Sequence, residues 1–255
     1  MIVLYFDVET TGLDLITDKI TVISVIVENT ETGEISKNTF NVIVETEAGN
    51  EENLRRRIYN LFDECDRISG YNNLSFDNVW LAHWLSPCLG ASIASRWARK
   101  TIDFYQTAHA LLHVKIGLSK ILKDNGIEMQ KSGTGLLAIQ WARERNFRDL
   151  EDYCMQDVEV LFKLTQLARN KFVVAKGYHP KDPAQAPCRY FRLDAQMQTV
   201  IVDAHGEDVE PPPPRLAKRA RVCEDYGRNV ETMLEGGVSV NANAFSRLAT
   251  CTGLL

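Results

Sequence analysis

Five residues in three separate segments could act together on one substrate: Asp7 and Glu9 in FDVETTGL, Asp77 in GYNNLSFD, and Tyr153 with Asp157 in YCMQD. The first pair ends an apolar run, Met1 to Phe6, that reads as a buried strand. Ionised carboxylates crowded into one site cost free energy unless something cationic balances them. An all-oxygen donor set suits a hard divalent ion, magnesium or manganese. Two such ions about 3.5–4 Å apart are the arrangement for in-line hydrolysis of a phosphodiester. A tyrosine there, with a free pKa near ~10, is better suited to orient the attacking water than to act as a base.

The elements that carry these residues can bring them together. Residues i and i+2 of a strand share a side, which lets Asp7 and Glu9 face one site. Residues i and i+4 of a helix lie one above the other, which puts Tyr153 and Asp157 on one face. From Asp149 to Phe172 the residues Leu150, Cys154, Val158, Leu161, Leu164, Leu167 and Ala168 recur near the helical period, with no Pro or Gly inside. Asp77 follows the turn-like Gly70-Tyr71-Asn72-Asn73 and opens the apolar segment Val79 to Leu85.

The rest of the chain supplies further elements. Strands are expected over 1–8, Ile20–Glu28, Thr39–Glu45, Arg67–Tyr71 and Thr101–Asp103. Helices are expected over Glu51–Phe62, Asp77–Leu85 (stopping before Pro87), Gln106–Val114, Leu118–Asn125, Gly135–Arg145 and Asp149–Phe172. That order predicts an α/β fold, a mixed sheet with helices packed against it. After about Lys176 the texture changes: prolines interrupt, and Arg189–Val202 reads as a hairpin. The run Pro211–Pro214 and the basic stretch Arg215–Arg221 follow, and little periodicity is left after them, so weak order is expected there. The expected domains are 1–176, a hairpin extension 177–205 and a tail 206–255.

Bulk properties exclude several classes. Apolar content of 45% and charged content of 25% are those of an ordinary globular protein. The longest apolar runs are strand-sized, so no membrane span is expected. The six cysteines form no CxxC pair, which points to reduced thiols and an intracellular protein, cytoplasmic or nuclear, with Arg215–Arg221 resembling an import signal. A net charge of −5 argues against avid nonspecific binding to nucleic acid, though not against a local basic groove. The clusters Arg55–Arg57, Arg96/Arg99/Lys100 and Arg143/Arg145/Arg148 read as solvated helix faces. Asp103 reads as a helix cap, and His83, His109 and His113 as ordinary helix residues.

The three segments together resemble the DEDD superfamily of 3′–5′ exonucleases, in its tyrosine-bearing variant. Asp7-x-Glu9-Thr10-Thr11-Gly12 is similar to the first motif, Asn72-x-x-x-Phe76-Asp77 to the second and Tyr153-x-x-x-Asp157 to the third. The N-x-x-x-F-D form and the Tyr at 153 are most similar to the proofreading domain of family B DNA polymerases. The resemblance covers about Met1 to Lys171. It implies a ribonuclease-H-like fold, with a five-stranded mixed sheet and helices on both sides. It also implies two Mg2+ or Mn2+ ions held by Asp7, Glu9, Asp77 and Asp157, and a water positioned by Tyr153. Thr10, Leu13, Asn72 and Phe76 match substrate-contacting positions, Leu13 as an apolar wedge against the terminal base. The implied partner is the 3′ end of a single strand, DNA favoured. The proline run and basic stretch of the tail, which the resemblance does not cover, suit a tether to a protein. Alternatives are a 3′–5′ exoribonuclease of the same chemistry and a non-catalytic nucleic-acid-binding module with this fold.

Overall fold

The computed structural model describes residues 1–89, 93–128, 133–178 and 185–209. Of the expected tail 206–255 only residues 206–209 are among them, where Asp208 bridges Val202 and pairs with Arg192 at 2.6 Å. The basic run Arg215–Arg221 lies outside the described residues. Strand β1 (Ile2–Thr10) is the axis of the molecule. It pairs antiparallel with β2 (Ile20–Asn29), which pairs antiparallel with β3 (Ile35–Asn41). On its other edge it pairs parallel with β4 (Arg67–Gly70), which pairs parallel with β5 (Thr101–Asp103). The sheet order is β3-β2-β1-β4-β5, a five-stranded mixed sheet.

Alternation along β1 feeds two cores. Leu4, Phe6 and Val8 face α2 (Glu51–Glu64), α3 (Asp77–Leu89) and α4 (Ile93–Lys100), where Phe6 meets Phe62 edge-on at 4.7 Å between ring centroids. Val3 and Tyr5 face α5 (Phe104–Leu112) and α8 (Phe147–Asn170). Asp7 and Glu9 continue the odd-numbered face, toward α8. Between these elements lie α6 (Leu118–Asp124) and α7 (Gly135–Glu144). A second sheet of β6 (Val173–Lys176), β7 (Cys188–Leu193) and β8 (Thr199–Val202) is antiparallel throughout. Its residues Val173, Phe191 and Leu193 pack into the same core as α5 and α8, so the hairpin is no separate body.

Three expectations differ from the structure. Thr39–Glu45 is not one strand: β3 ends at Asn41, whose side chain accepts a bond from the Val44 amide and starts α1 (Val42–Glu47). A capped backbone overrides the strand preference of Val-Ile-Val. Helix α3 runs through Pro87 to Leu89. Proline cannot donate to the carbonyl of His83, but the Ser86 hydroxyl does, at 2.8 Å, which satisfies the group that Pro87 leaves open. Helix α4, absent from the expected elements although Arg96/Arg99/Lys100 read as a helix face, buries Trp97 and Ala98. Among the described residues no helix is long and apolar enough to cross a membrane. Cys65, Cys154 and Cys188 are free thiols.

Helix α8 is pinned to the sheet along its length. Ser69 and Thr165 hydroxyls meet at 2.9 Å in the interior. Further along, buried Glu28 accepts from Tyr5 Oη (2.5 Å), Gln166 Nε2 (2.9 Å) and Arg169 Nη1 (2.7 Å). Removing the acceptor strands three donors at once. Glu28→Ala should lower unfolding free energy by about 2–4 kcal/mol in denaturant titrations, far more than loss of the exposed Arg56–Glu52 pair, at under about 1 kcal/mol.

Candidate active site

Strand β4 pairs with β1 only across Val3–Tyr5, so β1 runs on past its parallel neighbour. The groups left open on that edge are met by side chains. Asn73 Nδ2 donates to the Phe6 carbonyl at 3.2 Å, and the Val8 amide donates to Asp77 Oδ1 at 3.1 Å. Gly70 ends β4 where a Cβ would sit 2.0 Å from the Asn73 side chain, so a glycine there lets Asn73 close over the strand end. Asn72 takes φ 69°, a left-handed conformation that Asn tolerates. Asp103 fixes this loop. Its carboxylate, fully buried, accepts from the amides of Asn72 (2.9 Å), Leu74 (3.0 Å) and Gln106 (3.2 Å), so it caps α5 as expected and braces the loop besides.

Past Glu9 the pairing with β2 shifts register, and the chain turns into the 11–19 loop. Thr11 Oγ1 donates to Asp18 Oδ1 at 3.0 Å, and the Asp14 amide to Asp18 Oδ2 at 2.9 Å. A Cβ on Gly12 would lie 2.3 Å from the Asp18 carboxylate, so a larger residue there would displace the side chain that ties Thr11 and Asp14. The closed loop presents Leu13 to solvent, 49% exposed.

These segments and α8 enclose one cleft of about 500 Å³. Asp7, Glu9, Asp77 and Asp157 line it, as do Thr10, Leu13, Asn72 and Phe76. Asp7, Glu9 and Asp157 each offer an oxygen within 4.8 Å of the others, while Asp77 stands outside this triad, held to Val8. Tyr153 does not line the cleft but stands beside it, hydrogen-bonded to Asp157 and packed edge-on against Trp141 at 6.0 Å. His109 and His113 join no carboxylate cluster of metal-binding geometry among the described residues. Tyr71, Thr134, Gly135, Leu136 and Ile139 also line the cleft, and the motifs alone did not reveal them. The one signal for Leu136 is its isolation: an apolar residue in the first turn of α7 that is 80% exposed.

The electrostatics are those of acids held against each other. Burial, then the charges of Asp77, Glu9 and Asp157, raise the Asp7 carboxyl well above the usual range. Burial, then Asp157 and Asp77, do the same to Glu9. Burial pushes Asp77 up to about 7 against the opposing bond from Val8. Burial and the neighbouring acids drive the Tyr153 hydroxyl far above its ordinary value, so it is a donor at any working pH. No cationic side chain contributes to the shifts of Asp7 and Glu9, and none lines the cleft among the described residues. Converging hard oxygen donors without a protein cation fit a divalent metal.

A profile of the RNase_H superfamily matches residues 4–169. The chain belongs to that superfamily. The five-stranded mixed sheet and its flanking helices are the RNase-H-like fold expected from the motifs. No curated protein matches the chain. Among solved structures it is similar to an exonuclease I described as suggesting how processivity is achieved, at 15% identity and a TM-score of 0.39 over 85% of this chain and 57% of that one. E. coli exonuclease I with a dA16 oligonucleotide gives 17% identity and a TM-score of 0.38 over 85% and 57% of the two chains. An apo exonuclease I gives 16% and 0.39 over 97% and 72%. The chain thus spans 57% of the length of the first two.

The raised carboxyls make stability depend on pH. Asp77 moves from an ordinary 3.8 to about 7, so between those values the folded state binds more protons than the unfolded one. Stability therefore falls as pH rises through that window. In chelator the thermal midpoint should drop by about 5 °C or more between pH 5 and pH 8. Saturating Mg2+ or Mn2+ should flatten the slope; a slope equal with and without metal would show that the acids bind none.

Proposed function

We propose that the chain is a metal-dependent 3′–5′ exonuclease of single-stranded nucleic acid, with DNA favoured, of the tyrosine-bearing DEDD branch similar to family B polymerase proofreading domains. One observation carries the reading: the acids of all three motifs meet in one cleft, with Tyr153 bonded to Asp157 and Leu13 exposed at the lip. Residues 1–176 form the catalytic domain in this reading, the 177–205 hairpin extends it, and the tail 206–255 tethers it to a partner.

Asp7, Glu9 and Asp157 would hold one divalent ion, and Asp7 with Asp77 a second. Bound there, the ions supply the positive charge that favours hydroxide over water and stabilises a departing alkoxide. The protein's own groups do the remaining work. The bond from Val8 keeps an Asp77 oxygen directed at strand β1. Tyr153, protonated by its surroundings and donating its one O–H to Asp157, would orient a water by accepting from it through the phenol lone pairs. Leu13 and Phe76 wall the cleft with apolar surface that suits an unstacked base and excludes bulk water.

Asp7→Ala and Asp157→Ala should each cut release of nucleoside 5′-monophosphates by at least about 10²-fold with the fold intact by circular dichroism. Tyr153→Phe should slow turnover by roughly 10- to 100-fold and change binding little. The deciding assay degrades 5′-labelled DNA and RNA strands side by side, with blocked 3′ ends as controls. Shortening of blocked ends would refute the polarity, and faster RNA loss the DNA preference. Binding without any shortening in Mg2+ or Mn2+ would leave only a binding module.

A further inference from the structure

Tyr71 lines the cleft, but its ring also begins a row that leaves it. Its centroid lies 5.9 Å from that of Tyr105, in an edge-on arrangement. Tyr105 in turn lies 6.0 Å from His109, nearly parallel, one helical turn further along α5. All three are partly exposed. The row is rigidly joined to the cleft loop. Asp103 binds the amides of both Asn72 and Gln106, Gln106 Nε2 donates to Ser75 Oγ at 3.1 Å, and Tyr71 Oη donates to the Ile116 carbonyl at 2.5 Å. Past His109 stand the exposed His113 and Lys115, near enough that both charges act on the His109 ring.

We propose that Tyr71, Tyr105 and His109 form a base-stacking track that leads a single strand out of the acidic cleft toward His113 and Lys115. The proposal rests on the nuclease reading and specifies how that site holds the strand behind its reacting end. The chemistry matches a polynucleotide in two ways. Aromatic faces accept any base, so stacking on them is tolerant of sequence. The cationic end suits phosphates, which the carboxylate-lined cleft repels unless metal is present. Successive rings about 6 Å apart offer separate contacts to successive nucleotides rather than one pocket.

Length dependence tests it. Binding is read by fluorescence anisotropy with Ca2+ in place of Mg2+, which neutralises the acids without supporting rapid hydrolysis, using unpaired DNA of about twelve nucleotides and a trinucleotide. Tyr105→Ala and His109→Ala should each weaken the longer strand about 5-fold or more while leaving the trinucleotide within about twofold. Tyr105→Phe, which keeps the ring, should restore the longer strand's affinity. Lys115→Gln should reduce the salt slope of binding by about one. Equal losses on both lengths, or a Tyr105→Phe defect as large as that of Tyr105→Ala, would overturn the track and leave the nuclease reading standing. Wild-type protein that neither binds nor shortens strands in Mg2+ would overturn both. Thermal midpoints of each variant separate lost packing from lost contact.

Discussion

The constraint beneath the whole arrangement is that β1 outruns β4. A central strand whose neighbour stops early leaves backbone groups without ladder partners inside the protein, and each such group costs about 1–3 kcal/mol if unmet. Here the Phe6 carbonyl is met by Asn73 and the Val8 amide by Asp77. The same two bonds that complete the strand deliver an acid from a different segment to the point where Asp7 and Glu9 emerge. Structure and site are therefore not separable at Asp77, whose carboxylate serves β1 with one oxygen while facing the cleft. Gly70 and the left-handed Asn72 follow from this demand, because the chain must turn sharply to bring Asn73 and Asp77 over the strand end.

Holding acids together requires a frame that resists their repulsion. Helix α8 brings Asp157 to the Asp7–Glu9 pair and is locked at three levels. Near the cleft Cys154 Sγ approaches the Asp7 carbonyl at 3.5 Å, midway Ser69 meets Thr165, and at the far end Glu28 collects Tyr5, Gln166 and Arg169. Between these polar contacts Val158, Leu161 and Leu164 bury fully or nearly so against the sheet. The apolar stripe supplies cohesion without direction, and the polar contacts set the register, which decides whether Asp157 reaches the acids at all.

Much of this was legible in the chain. The acids stood out because a buried strand should not end in Asp-x-Glu, and the period of α8 put Tyr153 and Asp157 on one face. Strand β2 and the β7–β8 hairpin were readable from their β-branched and aromatic runs. Two of the failures share a cause: a single side-chain contact overrode a local preference. Asn41 turned Val42–Glu45 from strand to helix, and Ser86 let α3 pass Pro87. Leu136 and Ile139 could not be placed, since nothing in an amphipathic helix says which of its apolar residues will border a cleft made by other segments. Asp103 was readable as a cap, but its two bonds to the Asn72–Leu74 loop join residues about thirty apart and leave no local mark.

The basic clusters show where affinity for a polyanion does not come from. Arg55 pairs with Glu51 and lies over Trp84, Arg56 pairs with Glu52, and Arg96 pairs with Asp63. Arg145 pairs with Glu47, and Lys100 serves carbonyls at the end of α2. Arg56 pairs within α2 itself, the others bind their helix to a neighbouring element, and none of them lines the cleft. With a net charge of −5 the molecule has little general attraction for phosphate. In the proposed nuclease reading, a strand end entering the acid-lined cleft would be held there through its bases and through metal rather than by protein cations. Apolar walls at Leu13, Leu136 and Phe76 and the row from Tyr71 to Tyr105 and His109 are the surfaces that would hold bases in that reading, because stacking keeps its strength where charge repels.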